Sequence, residues 1–246
     1  MLNDDDLNRY ARQVIIPNFE EDGQENLLNT KCLIVGAGGL GCPVALYASA
    51  AGFGHIEIYD EDIIEISNLN RQIAHKNNHI GNNKAENLVQ ECLKINPNIS
   101  IISRKNIFDE TIDVSNFDLI FDCSDNPETK YILNSLSHKF KKILISGSAV
   151  QMEGQLAIWK SGLNKDYPCY ECIFPRKASL DEQPCDNNGV TPSVLGIVGT
   201  MMVSAALKLS FDKNVDCVMT RIDAKTLIVS QSNIKKDICC NICGDR

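Results

Sequence analysis

Residues 31–41, KCLIVGAGGLG, constrain this chain more than any other stretch. A short apolar run at 32–35 meets Gly36, Gly38, Gly39 and Gly41, and an alanine-rich apolar segment follows. The pattern predicts a buried parallel strand, a tight turn, and a helix whose N-terminus faces the turn. Glycines there let the backbone approach a ligand closely, and the free N–H groups at the helix start favour phosphate. The next apolar run, 55–59, ends in Asp60. An acidic residue roughly 20 positions past the last glycine is where such folds hold a ribose hydroxyl. The first half of the chain is therefore expected to bind a nucleotide.

The rest of that half alternates strand and helix. Asn3 caps a first helix over 6–13, which carries Arg12, and a short second helix covers 24–28. A polar, asparagine-rich loop follows Asp60. A helix then starts near Lys84 and stops at Asn96-Pro97. Strands are expected at 99–103, 118–123 and 142–146, with a helix between the last two. This predicts an α/β, Rossmann-like, mostly parallel sheet with helices on both faces. The pattern changes after Gly147. A strand at 156–159, a loop at 162–189, an apolar helix at 193–209, strands at 216–223 and 226–230, and a cysteine-rich tail suggest a mixed or antiparallel continuation. The expectation is one continuous body, with a nucleotide half at 1–147 and a substrate half at 148–246.

A net charge of −8 argues against non-specific nucleic-acid binding, which needs a basic face. No apolar run is read as a membrane span, and the acidic start MLNDDD is unlike a signal peptide. The 11 cysteines then read as thiols, ligands or nucleophiles in a reducing, cytoplasmic setting. Cys32, Cys42, Cys92, Cys123 and Cys217 lie in apolar runs and are expected in the core.

Cys169-x-x-Cys172 and Cys240-x-x-Cys243 differ from these. Two such pairs supply four thiolates, enough to close a tetrahedral structural zinc site that pins the tail to the long loop. Cys185, in a polar loop, is a candidate nucleophile. Arg71 and Lys84 follow the ribose-binding strand end, where cations can reach a polyphosphate. Either one alone would read as a solvated surface charge; two of them beside a glycine turn favour the phosphate reading. Asp125 ends the fourth strand, on the sheet edge where ligands bind; beside phosphates it suggests magnesium, and otherwise a helix cap. His75 and His79 lack a third ligand and a following glutamate, and are read as surface histidines.

Together RYARQ, GAGGLG, DEDIIEISNLNRQ, DCSDN, MEGQ, PCYEC and CNICG, in this order over nearly the whole chain, resemble the MoeB/ThiF family. These relatives of ubiquitin-activating enzymes adenylate the C-terminal glycine of small ubiquitin-like sulfur carriers. The resemblance implies a homodimer that binds ATP with magnesium. Gly36, Gly38, Gly39 and Gly41 would approach the nucleotide and Asp60 its ribose. Ser67, Asn68, Arg71 and Lys84 would face the phosphates, and Asp125, beside Asn126, would hold magnesium. Arg12 matches an arginine that reaches into the partner subunit's site. Cys169, Cys172, Cys240 and Cys243 match zinc ligands, and Cys185 matches a cysteine that links to the carrier. The carrier would present a Gly-Gly tail, for thiamine or molybdopterin synthesis, and a separate protein would donate sulfur, since no rhodanese-like extension follows Arg246. The rival reading is an NAD-dependent oxidoreductase, because Gly36, Gly38 and Gly41 also satisfy GxGxxG. A further alternative is a homologue that binds ATP and a carrier without turnover.

Overall fold

The computed structural model describes residues 2–176, 189–212 and 216–245. Helices α1 (Asp4–Val14) and α2 (Glu20–Asn29) lead into β1 (Lys31–Val35), α3 (Gly41–Ala51), β2 (His55–Tyr59), α4 (Lys84–Ile95) and β3 (Ser100–Arg104). The chain returns without a helix to β4 (Leu119–Asp122), then continues as α5 (Pro127–Lys139), β5 (Ile143–Val150) and β6 (Glu153–Trp159). Helix α6 (Pro192–Phe211) and the hairpin β7 (Val218–Asp223) and β8 (Ile228–Asn233) follow. Asn3 caps α1 as expected, with a reciprocal bond between its backbone and Asp6.

All eight strands form one sheet, ordered β3-β2-β1-β4-β5-β6-β7-β8. Strands β1 to β5 run parallel, and β5 to β8 pair antiparallel. Strand β5 runs past the expected end at residue 146. Its later residues pair with β6, from Gly147↔Leu156 to Val150↔Glu153, so the two halves share a strand.

The apolar runs are continuous because helices cover both faces. On one face Cys32 and Ile34 join a core with Leu27, Ala45, Leu88 and Val198, from α2, α3, α4 and α6. On the other face Leu33 and Val35 pack with Leu133 and Leu136 of α5, Phe108 and Trp159. All five cysteines expected in the core are buried. Helix α6 is long and apolar enough to cross a membrane by length and composition alone, contrary to the expectation that no run reaches that length. Its Val194, Val198, Met202 and Ala206 are buried, and the helix packs on α2, α3, β5 and β6.

Connections leave β1 toward β2 on one side, whereas β4 lies on the other. The carboxyl ends of β1 and β4 therefore open a crevice at the switch point, the usual ligand site of such sheets.

Candidate nucleotide site and metal centre

A cavity of about 720 Å³ occupies that crevice, a size suited to a cofactor. Gly36, Gly38 and Gly39 form its floor. Gly36 has φ +99°, a conformation that favours glycine, and a Cβ at Gly41 would collide with the Gly36 carbonyl. Gly41 thus stands behind the wall and lets the turn close, while Gly39 backs onto Leu195.

Asp60 lies on the wall, at the end of β2. Its Oδ2 accepts the Ala37 N–H at 2.7 Å and its Oδ1 the Asp62 N–H at 2.9 Å. Burial pushes its carboxyl pKa up, and the Ala37 N–H opposes that shift. The carboxylate therefore fixes the turn from one side before any ligand arrives.

From the other side stands His75, which is 4% exposed and not the surface residue the sequence suggested. Its Nε2 lies 3.0 Å from the Ala37 carbonyl, and its Nδ1 lies 2.8 Å from Asn87 Nδ2. Because Asn87 donates to Nδ1, the ring proton belongs on Nε2. His79 is half-buried in a short 3-10 turn, so the two histidines share no helical face.

The cations reach the cavity by separate routes. Arg71 lies on its wall, its Nη1 donating to the Ser67 carbonyl at 2.9 Å. Lys84 opens α4, and Asn83 sets its place: Asn83 Oδ1 caps the helix while its Nδ2 donates to the Asp60 carbonyl at 2.9 Å. Lys84 Nζ pairs with the Asp62 carboxylate at 2.8 Å.

A third cation, Lys130, was not read from the sequence. Its Nζ pairs with Asp122 at 3.0 Å and donates to the Gly147 carbonyl at 3.1 Å. Asp122 is 1% exposed and also accepts the Ser124 N–H and hydroxyl. Lys130 lies on the buried stripe of α5 with Leu133, Asn134 and Ser137; a charge at such a position was the available signal.

Asp125 and Asn126 line the same cavity. Asn126 Oδ1 caps α5 by accepting the Glu128 N–H at 2.9 Å. The Asp125 carboxylate is exposed and has no hydrogen bond or ion pair among the described residues, so it fits an oxygen ligand for a hard cation. Cys123 also lies on the wall, but burial pushes its thiol pKa well up, which keeps it neutral.

Several expected residues lie off the wall. Ser67 is exposed, and its hydroxyl donates to Glu65 at 3.3 Å. Asn68 is buried, and its Oδ1 accepts the Glu65 N–H at 3.0 Å, closing a local turn. Arg12 is exposed on α1 and does not line its own chain's cavity. Cys185 lies outside the described residues.

The four paired cysteines converge, with all Sγ atoms within 4.8 Å of one another. Cys169 and Cys240 Sγ are 3.5 Å apart, Cys172 and Cys243 3.3 Å, and Cys169 and Cys172 4.0 Å. Zinc bound tetrahedrally at about 2.3 Å would space its sulfurs by about 3.8 Å, so the set fits zinc. Cys239 is exposed and takes no part, which fixes the register of the second pair.

The ThiF family profile matches residues 10–241. The adenylyltransferase and sulfurtransferase MOCS3 of Dictyostelium discoideum is 35% identical over 253 residues, covering 100% of this chain and 59% of that protein. The adenylyltransferase and sulfurtransferase UBA4 of Scheffersomyces stipitis is 38% identical over 213 residues, covering 83% of this chain and 47% of that protein. The chain thus spans about half the length of these relatives. Among solved structures, Escherichia coli MccB with ATP has a TM-score of 0.83 at 24% identity, covering 98% of this chain and 75% of that one. That likeness shows the shared fold.

Proposed function

The chain belongs to the ThiF family, and from that premise we propose that it adenylates the C-terminal glycine of a small ubiquitin-like sulfur carrier with ATP. One observation carries the reading. A single cavity joins the glycine turn, Asp60, three cations (Arg71, Lys84 and Lys130) and the unpaired carboxylate of Asp125. Hydride transfer develops no charge on a phosphate, so it does not call for cations and an acid gathered there. A nucleotidyl transfer does, because charge builds on the phosphoryl oxygens.

In this reading the carrier carboxylate attacks the α-phosphorus of ATP. A new acyl–phosphate bond forms, the bond to the β-phosphate oxygen breaks, and pyrophosphate leaves with the electron pair. The nucleophile is already an anion, so no general base is needed. The turn at 36–39 and Asp60 hold the nucleoside end. Arg71 and Lys84 hold the phosphates, and Asp125 would hold magnesium, which would supply further charge neutralisation.

The relatives' names, adenylyltransferase and sulfurtransferase, are consistent with a sulfur-carrier partner. We assign the carrier tail to the sheet surface over β5 and β6, where a small groove at Ser148, Gln155 and Tyr170 continues from Lys130. Arg12 would serve the cavity of a second copy in a homodimer. The cysteine cluster is a structural zinc site, and Cys185 would act only in later sulfur transfer from a separate donor.

The test is ATP–pyrophosphate exchange with carriers ending in Gly-Gly. Exchange that depends on one carrier supports the reading and separates a thiamine from a molybdopterin route. Exchange only with a short peptide would keep the chemistry and replace the carrier. ATP binding without exchange would favour a non-catalytic homologue, and NAD binding without ATP binding the oxidoreductase.

A further inference from the structure

Ala37, in the middle of the glycine turn, is held by both of its backbone polar groups, one in the peptide before its Cα and one in the peptide after it. Its N–H donates to Asp60 at 2.7 Å, and its carbonyl oxygen lies 3.0 Å from His75 Nε2. The Cys42 thiol approaches the same carbonyl at 3.5 Å, a weaker donor at greater distance. His75 is itself fixed: its backbone N–H donates to the Gln72 carbonyl at 3.0 Å, and Asn87 of α4 donates to its Nδ1. Ala37 and Asn87 are buried, so none of these bonds competes freely with water.

A glycine turn has few side chains of its own with which to hold a shape. Its backbone N–H groups favour a phosphate only if they converge before the ligand comes, because ordering them on binding would cost affinity. Asp60 constrains only the Gly36–Ala37 peptide. A rotation of the following Ala37–Gly38 peptide plane would swing the Ala37 carbonyl and re-aim the Gly38 N–H.

We propose that His75, as a neutral Nε2–H donor oriented by Asn87, is the positioning residue that locks the Ala37–Gly38 peptide and so pre-forms the nucleotide turn. The proposal rests on the reading of the cavity as an ATP site, and its role is in nucleotide affinity and not in the bond-making step. His75 lies beneath the turn and does not line the cavity. Asp60 restrains the peptide before Ala37, and the histidine restrains the one after it, from a loop 38 residues after Ala37.

The experiment compares His75→Leu, which fills the space without a donor, with His75→Gln, whose Nε2 can still reach the Ala37 carbonyl. ATP affinity is measured directly, and KM and kcat for ATP and for the carrier are measured by exchange, after thermal melting has shown each variant folded. His75→Leu is expected to raise the Kd and KM for ATP about tenfold, with kcat and the carrier KM within about threefold. His75→Gln is expected to recover most of the lost ATP affinity. Asn87→Leu, which frees the ring, is expected to fall between them. Equal weakening by Leu and Gln, or an equal rise in the carrier KM, would overturn the proposal in favour of packing alone. If His75→Leu fails to fold, Asn87→Leu with unchanged ATP affinity overturns it. Wild-type protein that does not bind ATP at all defeats the cavity reading instead, which keeps the two failures apart.

Discussion

Asn134 lies against Cys169, its Nδ2 3.6 Å from the Sγ, while its Oδ1 accepts the Tyr170 N–H at 2.9 Å. One fully buried amide therefore grips the first cysteine pair by both a sulfur and a backbone group. It does so from α5, the helix that starts at the cavity with Asn126 and carries Lys130 one turn before Asn134. Tyr170 adds to the joint by packing edge-on against Tyr131 and Trp159.

Asn134→Leu should loosen the metal. Hydrogen bonds from outside the ligand set orient the sulfurs, and their loss costs about 10- to 100-fold in metal affinity. The Tyr170 N–H would also lose its Asn134 acceptor, at about 1 kcal/mol. A chelator competition should show faster zinc release than in the wild type, and melting should fall by several degrees. A folded variant that retains zinc as tightly as the wild type would remove Asn134 from this role.

The Asp122–Lys130 pair should be costly to break on one side. Both charges are buried, and removing one partner leaves the other uncompensated, at about 3–5 kcal/mol. Lys130→Met also strips a donor from the Gly147 carbonyl. Urea unfolding should show each single variant, Lys130→Met or Asp122→Asn, well below the wild type. The double variant should be less damaged than the sum of the two, because it buries no lone charge. Additive losses would mean that the pair is not coupled.

What was legible in the sequence follows the physics of local pattern. The glycine turn, the helix start at Asn3 and the parallel strands were readable because each is encoded by neighbours in the chain, whereas the cap of α5 is Asn126 and not the neighbouring Asp125 that the sequence offered. The four cysteines were readable because metal geometry imposes spacing. His75 was not, because its burial is decided by the Ala37 carbonyl, 38 positions earlier, and nothing in the polar loop around it signals that contact. Lys130 was overlooked because a lysine in a helix is ordinarily solvated. Only its place on the α5 stripe with Leu133 and Asn134 marked it as inward-facing. The end of β5 was misjudged because Gly147 and Ser148 resemble a turn, whereas pairing with β6 keeps them extended.

Stability should fall with acidity through His75. Burial holds its imidazole pKa below the ordinary value of about 6.5. As pH drops, the unfolded chain takes up this proton first, so stability is intact above about pH 6.5 and is lost down through the folded value. Around the ring, Asn87 and Cys42 are in contact, Lys84 and His79 further oppose the charge, and Glu91 weakly favours it. Urea midpoints should therefore drop as pH falls below about 6.5, before the usual carboxylates titrate. His75→Gln should flatten this slope by up to about 1.4 kcal/mol per pH unit. An unchanged slope would place the proton uptake elsewhere.

Arg12 and Asp125 should complement one another between copies of the chain. Asp125 is exposed and unpaired among the described residues, so Asp125→Ala should abolish exchange while leaving melting within about 1 °C of the wild type. Arg12 is exposed on α1, away from its own cavity, and is followed by Ile15 and Ile16, which are 68% and 48% exposed. An arginine flanked by bare isoleucines has the composition of an interface, and a two-fold contact would carry it into the other copy's site. Arg12→Ala should then be as inactive as Asp125→Ala. Mixed and allowed to exchange subunits, the two inactive variants should recover roughly a quarter of wild-type activity, since half the dimers would hold one intact site and one doubly altered site. No recovery, in a mixture shown to contain hybrid dimers, would return Arg12 to its own chain or to no catalytic role.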